Sequence, residues 1–180
     1  ETDAKIATLR ERLLELEYSL IPMGLHVVGE AMAPDARVDV LVEIARGAVP
    51  DLVLLVNGIP LCVVECKKGS EVCANPMAEA FVQLQRYMNK RPETAAAGLR
   101  EGEPRLFHSS LLLIRSCGLE ADYGTITSSE EHFYDWKTLY PVSDDNLEGM
   151  DAQQRLVAGM LTKSNLLQIL RTSAVFKDAD

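Results

Sequence analysis

Val49-Pro50-Asp51-Leu52-Val53-Leu54-Leu55-Val56-Asn57-Gly58-Ile59-Pro60-Leu61-Cys62-Val63-Val64-Glu65-Cys66-Lys67 is the stretch on which the fold turns. Leu52 to Val56 is a short apolar run, the pattern of a buried strand. Asn57-Gly58 is the strongest short hairpin signal, because a two-residue turn there requires positive φ. Leu61 to Lys67 returns as the antiparallel partner. Side chains alternate along a strand, so Leu61, Val63, Glu65 and Lys67 share one face while Cys62, Val64 and Cys66 share the other. In an antiparallel hairpin the start of one strand lies beside the end of the next, which brings Asp51 close to Glu65 and Lys67.

Two carboxylates and an ammonium would then converge at one end of an apolar sheet. Burying them is costly unless they are paired or hold a metal. Two carboxylate oxygens, a main-chain carbonyl and water form the hard oxygen environment that Mg²⁺ prefers. A metal held by Asp51 and Glu65 would lower the pKa of water and stabilise charge on a phosphate. Lys67 would position or deprotonate the attacking water and offset developing charge. The arrangement suits phosphodiester hydrolysis. Taken without the hairpin, the same three residues are more often an ordinary solvated salt bridge; the apolar strands and the Pro50-Asp51 entry favour a site.

Outward from the hairpin, residues 76–90 read as a helix with Pro76 in its first turn. Gln83 and Tyr87 fall four apart on it and share one face. Residues 92–104, rich in alanine, glycine and glutamate, read as a mobile link. Ser110 to Ser116 reads as a third buried strand and Tyr123 to Thr127 as a fourth, with short helices near 150–161 and 164–172. Upstream, Ile6, Leu9, Leu13, Leu16 and Leu20 form the stripe of an amphipathic helix over 4–20, expected to pack on the core through Leu9, Leu13 and Leu16. Leu25 to Val28 suggests a short strand, and Pro34-Asp35 a turn into a second helix over 36–46 closed by Gly47. The expected architecture is α/β, with a mixed, mainly antiparallel central sheet flanked by helices. Residues 1–47 would be a helical appendage and 48–180 the domain carrying the site.

The net charge of −9 speaks against a nucleic-acid partner until its distribution is considered. Residues 1–45 carry 4 basic and 9 acidic side chains and residues 116–180 carry 5 and 11, whereas residues 46–115 carry 9 and 7. The stretch holding the candidate site thus lacks the acidic excess, which permits DNA binding. No apolar run approaches the roughly 18 residues of a membrane span, and Glu1-Thr2-Asp3-Ala4-Lys5 does not open a signal peptide. The four cysteines, Cys62, Cys66, Cys73 and Cys117, form no CxxC pair. A reduced cytoplasmic chain is expected. Cys62 and Cys66 lack partners for zinc, His132 lacks a nucleophile partner, and Trp136 reads as packing.

The quoted stretch resembles the nuclease segment of type I restriction enzyme R (motor) subunits, a PD-(D/E)xK nuclease with a restriction-endonuclease-like core. The likeness continues through Ala74-Asn75-Pro76, Gln83-Leu84-Gln85-Arg86-Tyr87, Leu111 to Ile114, Tyr123 to Thr127, His132 to Lys137, Gly159-Met160-Leu161 and Leu166 to Arg171, covering about residues 49–176. The resemblance implies a Mg²⁺-dependent endonuclease acting on double-stranded DNA, alongside other restriction-modification subunits. Asp51 and Glu65 would be metal ligands, Lys67 the catalytic lysine, and Gln83 and Tyr87 the family's QxxxY pair, supporting the site and contacting DNA. ATP would serve only motor domains, and no GxxxxGK[ST] loop occurs here. Such folds usually add an acidic residue from a preceding helix, for which Glu11, Glu15, Glu17 and Glu43 are candidates. Residues 5–46 depart from that pattern. Leu14 to Glu30 is similar instead to a segment of the magnesium and cobalt chelatase large subunit, where His26 would be a tetrapyrrole-facing residue or a core histidine. Two alternatives therefore stand beside the nuclease: a catalytically inactive DNA-binding or complex-docking domain, and a chelatase-derived interaction module.

Overall fold

A computed structural model describes residues 19–23, 26–33, 36–41, 50–56, 59–68, 73–118, 120–139 and 149–174. The described strands form one sheet of seven in sequence order: β1 (Ser19–Met23), β2 (His26–Ala33), β3 (Ala36–Leu41), β4 (Leu52–Val56), β5 (Ile59–Cys66), β6 (Leu112–Cys117) and β7 (Glu120–Thr125). Neighbours pair antiparallel except β5 and β6, which are parallel. The expected mixed, mainly antiparallel sheet flanked by helices is what the chain forms.

Strand alternation divides the core between the two faces. Leu52, Leu54, Cys62, Val64, Cys66, Leu112 and Ile114 pack against helix α3 (Ala152–Met160) and Leu166 of α4 (Lys163–Thr172). Val53, Leu55, Val63 and Leu113 pack against Leu84, Tyr87 and Met88 of α1 (Pro76–Tyr87) and its C-terminal end. Parallel pairing requires a crossover, and α1 is the longest described helix of the one joining β5 to β6. Its start is fixed by Asn75, whose side chain accepts from Ala78 N at 3.0 Å, and by Pro76 at the first turn. At its end Asn89 adopts φ 58°, the left-handed conformation that terminates helices. The N-terminus of α3 carries a reciprocal capping box between Asp151 and Gln154.

The upstream expectations fare differently. Residues 36–41, expected to begin a helix, are β3, paired with β2 and β4. The local sequence Ala36-Arg37-Val38-Asp39-Val40-Leu41 alternates charged and β-branched residues with the period of a strand, and that period outweighs the turn-to-helix signal of Pro34-Asp35. Of the short strand expected at 25–28, residues 26–28 are part of the longer β2, and Leu25 lies outside the described residues. Of the helix expected over 4–20, Ser19 and Leu20 lie in β1, and Leu9, Leu13 and Leu16 lie outside the described residues. Asn57-Gly58 also falls outside them, although Val56 pairs with Ile59 across that two-residue connection.

Residues 92–104 are a packed return rather than a bare link. They hold the short helix α2 (Pro92–Ala96), and the segment closes over the end of α1, where Glu103 N donates to Tyr87 O at 3.0 Å and Glu101 N to Asn89 Oδ1 at 3.0 Å. Close approach requires glycine at one position here. Gly102 has φ +68°, and a Cβ on it would stand 2.3 Å from Tyr87 O. Gly98 has the same φ with open space around it. Gly102→Ala is therefore expected to lower stability by about 2–3 kcal/mol and Gly98→Ala by about 1 kcal/mol, the difference being the backbone clash. Urea unfolding of the two variants measures it; equal losses would contradict the contact.

Candidate active site

The end of β5 is built by its own alternation. Val63 faces α1, so Glu65 and Lys67 project on that side, while Cys66 is buried on the other. Lys67 Nζ donates to Glu65 Oε1 at 2.7 Å. Asp51, one residue before β4, accepts from Cys66 N through Oδ2 at 2.6 Å, which ties the start of one strand to the end of the other. Lys67 N donates to Ser116 O at 2.8 Å and continues the pairing with β6. The structure thus gathers Asp51, Glu65 and Lys67 at one end of the hairpin.

Glu65 is only 2% exposed. Burial, followed by the negative charge of Asp51, pushes its carboxyl up to about 7, against the lowering effects of Lys67 and of the nearby Tyr87 hydroxyl. Its Oε2 is buried with no hydrogen-bond partner among the described residues. Burial works against the Lys67 ammonium, but the bond to Glu65 and the charges of Glu65, Asp51 and Glu79 outweigh it and hold its pKa above the ordinary lysine value.

Helix α1 supplies the wall. Gln83 Nε2 donates to Tyr87 Oη at 2.9 Å, so the two residues share one face. Burial, then the charge of Glu65, pushes the Tyr87 hydroxyl up. Arg115 escapes the sequence reading, yet it occupies the β6 position paired with Glu65. Its guanidinium bonds Asp122 through Nε at 2.8 Å and Nη2 at 2.6 Å, and Nη1 reaches Met77 O and Glu130 Oε1 at 3.1 Å. It also lies 4.4 Å from the Phe133 ring centroid. One arginine therefore fixes the start of α1 to β6 and β7. A single charge following the apolar run Leu111-Leu112-Leu113-Ile114 was the available signal.

No group of three or more histidine, cysteine, aspartate or glutamate side chains forms a metal cluster among the described residues. The donors present are the Asp51 and Glu65 carboxylates. They fit a Mg²⁺-type ion, which keeps several waters and needs only one or two carboxylates; the unpartnered Glu65 Oε2 is the observation in favour. Glu11, Glu15, Glu17 and Glu43 lie outside the described residues. Cys62 and Cys66 are buried and form no disulfide. The exposed His132 contacts Ser129 Oγ through Nδ1 at 2.7 Å. Trp136 packs edge-on to Tyr123 with ring centroids 5.5 Å apart.

The sequence model of the family described as Type I restriction enzyme R protein N terminus matches residues 39–132, a little over half of the 180 residues. The chain belongs to that family. The match takes in Asp51, Glu65, Lys67, Gln83, Tyr87 and Arg115. It begins within β3, inside residues 5–46. The HindI type I restriction enzyme endonuclease subunit of Haemophilus influenzae is 28% identical over 130 residues, 72% of this chain and 11% of that protein. A Methanocaldococcus jannaschii chain, named as the putative endonuclease subunit of the type I restriction enzyme MjaIXP, is 30% identical over 118 residues, 65% of this chain and 10% of that protein. The chain spans about a tenth of the length of these relatives, and neither of them is named as a chelatase.

A carboxyl raised above its unfolded value binds its proton more tightly in the folded state, so its contribution is complete below the unfolded pKa and is lost as pH rises through the folded one. With Glu65 near 7 in the folded chain and 4.5 as the ordinary value, metal-free stability should fall between pH 5 and pH 8. The expected loss is about 2–3 kcal/mol, since each tenfold difference in proton affinity corresponds to about 1.36 kcal/mol. Urea unfolding of wild type and Glu65→Gln across that range isolates the effect, because every other titrating group is common to both. Parallel pH profiles would contradict the burial of an ionisable carboxyl at Glu65.

Proposed function

We propose that this domain is the Mg²⁺-dependent DNA-cleaving part of a type I restriction enzyme, hydrolysing phosphodiester bonds in double-stranded DNA. The observation that carries the reading is Glu65: a carboxylate buried on an apolar sheet face, half-satisfied by Lys67, with a second carboxylate at the same strand end. A structural ion pair gains from having every oxygen bonded. A ligand site gains from an oxygen held out of water with nothing yet attached. Membership of the restriction family and the endonuclease names of its relatives support the same reading.

Asp51 and Glu65 would hold the ion. Its chemistry would be to lower the pKa of water and offset charge on the scissile phosphate. Lys67 is placed to donate to a phosphate oxygen or orient the attacking water, and its raised pKa favours the charged, donating form. Asp51 is fixed by the Cys66 amide, so its carboxylate is oriented before substrate arrives. Tyr87, braced by Gln83, closes the α1 side and limits water around Glu65. The basic balance of residues 46–115 suits a polyanionic substrate. Other subunits of the restriction system are the expected partners. None of the described helices is long and apolar enough to cross a membrane.

Nicking of supercoiled plasmid by the purified chain tests this. Cleavage should require Mg²⁺ or Mn²⁺, stop in chelator, and be abolished by Glu65→Ala. Ca²⁺ should permit binding without turnover, because its coordination geometry is looser. Lys67→Ala should lower kcat by about 100-fold or more while sparing metal binding, as expected for a group acting in the transition state. Cleavage that persists in chelator or survives Glu65→Ala would contradict the assignment. DNA binding with no cleavage under any metal would favour a silent docking domain.

A further inference from the structure

Helix α1 has a second flank. Phe81 and Gln85 each stand two residues from Gln83, and two residues span about 200° of a helix, so they face away from the Gln83–Tyr87 pair. Beside that flank, between α1 and the turn at residues 126–129, lies an open cavity of about 430 Å³. Its apolar wall is Phe81, Val82, Pro92 and Ile126, and Val82 is 48% exposed. The walls are set by contacts of their own. Phe81 packs edge-on to Phe133 with ring centroids 5.7 Å apart. Ser128 Oγ accepts from Thr125 N at 3.0 Å, and Ser128 N donates to Thr125 O at 3.0 Å. Lys90 Nζ donates to Ile126 O at 2.7 Å and bridges the two sides.

Three ionisable side chains line the cavity, Lys90, Arg91 and Glu93, in a chain of net charge −9. Arg91 is bonded to Glu101 through Nε at 2.7 Å and lies 3.6 Å from Glu93, so those three charges stand together. Lys90 is exposed and bonded to a neutral carbonyl, which leaves its charge for an incoming anion. Duplex DNA is held by cations and amides that follow its backbone, whereas here one lysine borders a wall of apolar side chains. An apolar side chain flanked by a carboxylate matches both halves, the first on the wall and the second on the ammonium. Walls fixed before binding also cost little to order.

We propose that this groove docks an acidic segment of a partner protein, seating an apolar side chain on Phe81, Val82 and Ile126 and a carboxylate on Lys90. The groove lies on the flank of α1 opposite Gln83, so the docked segment does not contact Gln83 or Tyr87. The inference goes beyond the metal-dependent reading and does not rest on it.

Amide chemical shifts of the isotope-labelled chain, followed during titration with capped pentapeptides, test this. Asp-Asp-Leu-Trp-Asp should shift the amides of residues 81–85, 90–93 and 126–129 and leave those of residues 51 and 65–67 in place. Val82→Asp puts a charge on the exposed wall and should weaken binding about tenfold or more, the scale of losing one buried apolar contact. Lys90→Met should weaken it about 3- to 5-fold and remove its salt dependence, and Lys90→Arg should restore both. Unaltered urea midpoints show that the variants still fold. Lys-Lys-Leu-Trp-Lys should bind at least about tenfold more weakly, and Asp-Asp-Ser-Ser-Asp should give no shifts. An absence of shifts in this groove at up to about 5 mM peptide, or equal binding of the charge-reversed peptide, would overturn the proposal. A DNA duplex that shifts the same amides and displaces the peptide would overturn it in favour of a nucleic-acid surface.

Discussion

Glu65 and Arg115 stand side by side on paired strands, at the end of a sheet face otherwise occupied by Val63 and Leu113. Both are charged, and both are nearly excluded from water. Arg115 is met by two carboxylates, a main-chain carbonyl and an aromatic face, so each of its guanidinium nitrogens has a partner. Glu65 has the Lys67 ammonium on Oε1 and the Tyr87 hydroxyl nearby, but no hydrogen bond of ordinary geometry among the described residues on Oε2. Buried polar groups in folded proteins are bonded with few exceptions, and an exception flanked by a second carboxylate is a candidate for chemistry rather than for stability. The contrast between these neighbours separates the structural ion network from the site.

The surrounding construction keeps Glu65 in that position. The hairpin aligns the start of β4 with the end of β5, and the Cys66 amide on Asp51 secures the alignment. Arg115 fixes the start of α1, while the return of residues 97–104 over Tyr87 secures its end. Between those anchors, Gln83 is bonded to Tyr87, and the helix that carries them cannot rotate without breaking both anchors. On the opposite face, α3 and α4 cover Cys62, Val64 and Cys66, which makes β5 a buried central strand. A destabilised group at the tip of a rigid strand, walled by an anchored helix, is how a fold keeps a functional carboxylate from relaxing into a surface salt bridge.

The hairpin and its three charges are legible in the sequence because strand alternation has a period of two and Asn57-Gly58 is a turn signal; the register shift between Leu54 and Leu55 is not. Helix α1 is legible through Asn75-Pro76 and the apolar spacing that follows. Residues 36–41 mislead because the hexamer is short and a proline-aspartate pair serves hairpin turns as readily as helix starts. Residues 92–104 mislead because composition describes what a segment lacks, whereas Gly102 is there for what it lies against. Arg115 is beyond sequence reasoning in its partners, since Met77, Asp122 and Glu130 come together only in the folded chain. Its presence at the end of an apolar run is the visible clue. The asymmetry of Glu65, one oxygen bonded and one bare, is a property of three-dimensional placement that no spacing encodes.

The central claim is that Glu65 is a buried carboxyl waiting for a divalent cation, and proton release on metal binding tests it most directly. Mg²⁺ or Mn²⁺ is titrated into the chain by calorimetry in buffers of different ionisation enthalpy, at about pH 6 and again at about pH 8.5. A carboxyl held up to about 7 must lose its proton to bind an ion at the lower pH. The account predicts release of nearly one proton per ion at the lower pH and almost none at the higher, with both binding and release lost in Glu65→Gln. Binding that releases no proton at the lower pH, or that survives Glu65→Gln, would place the ion elsewhere and contradict it.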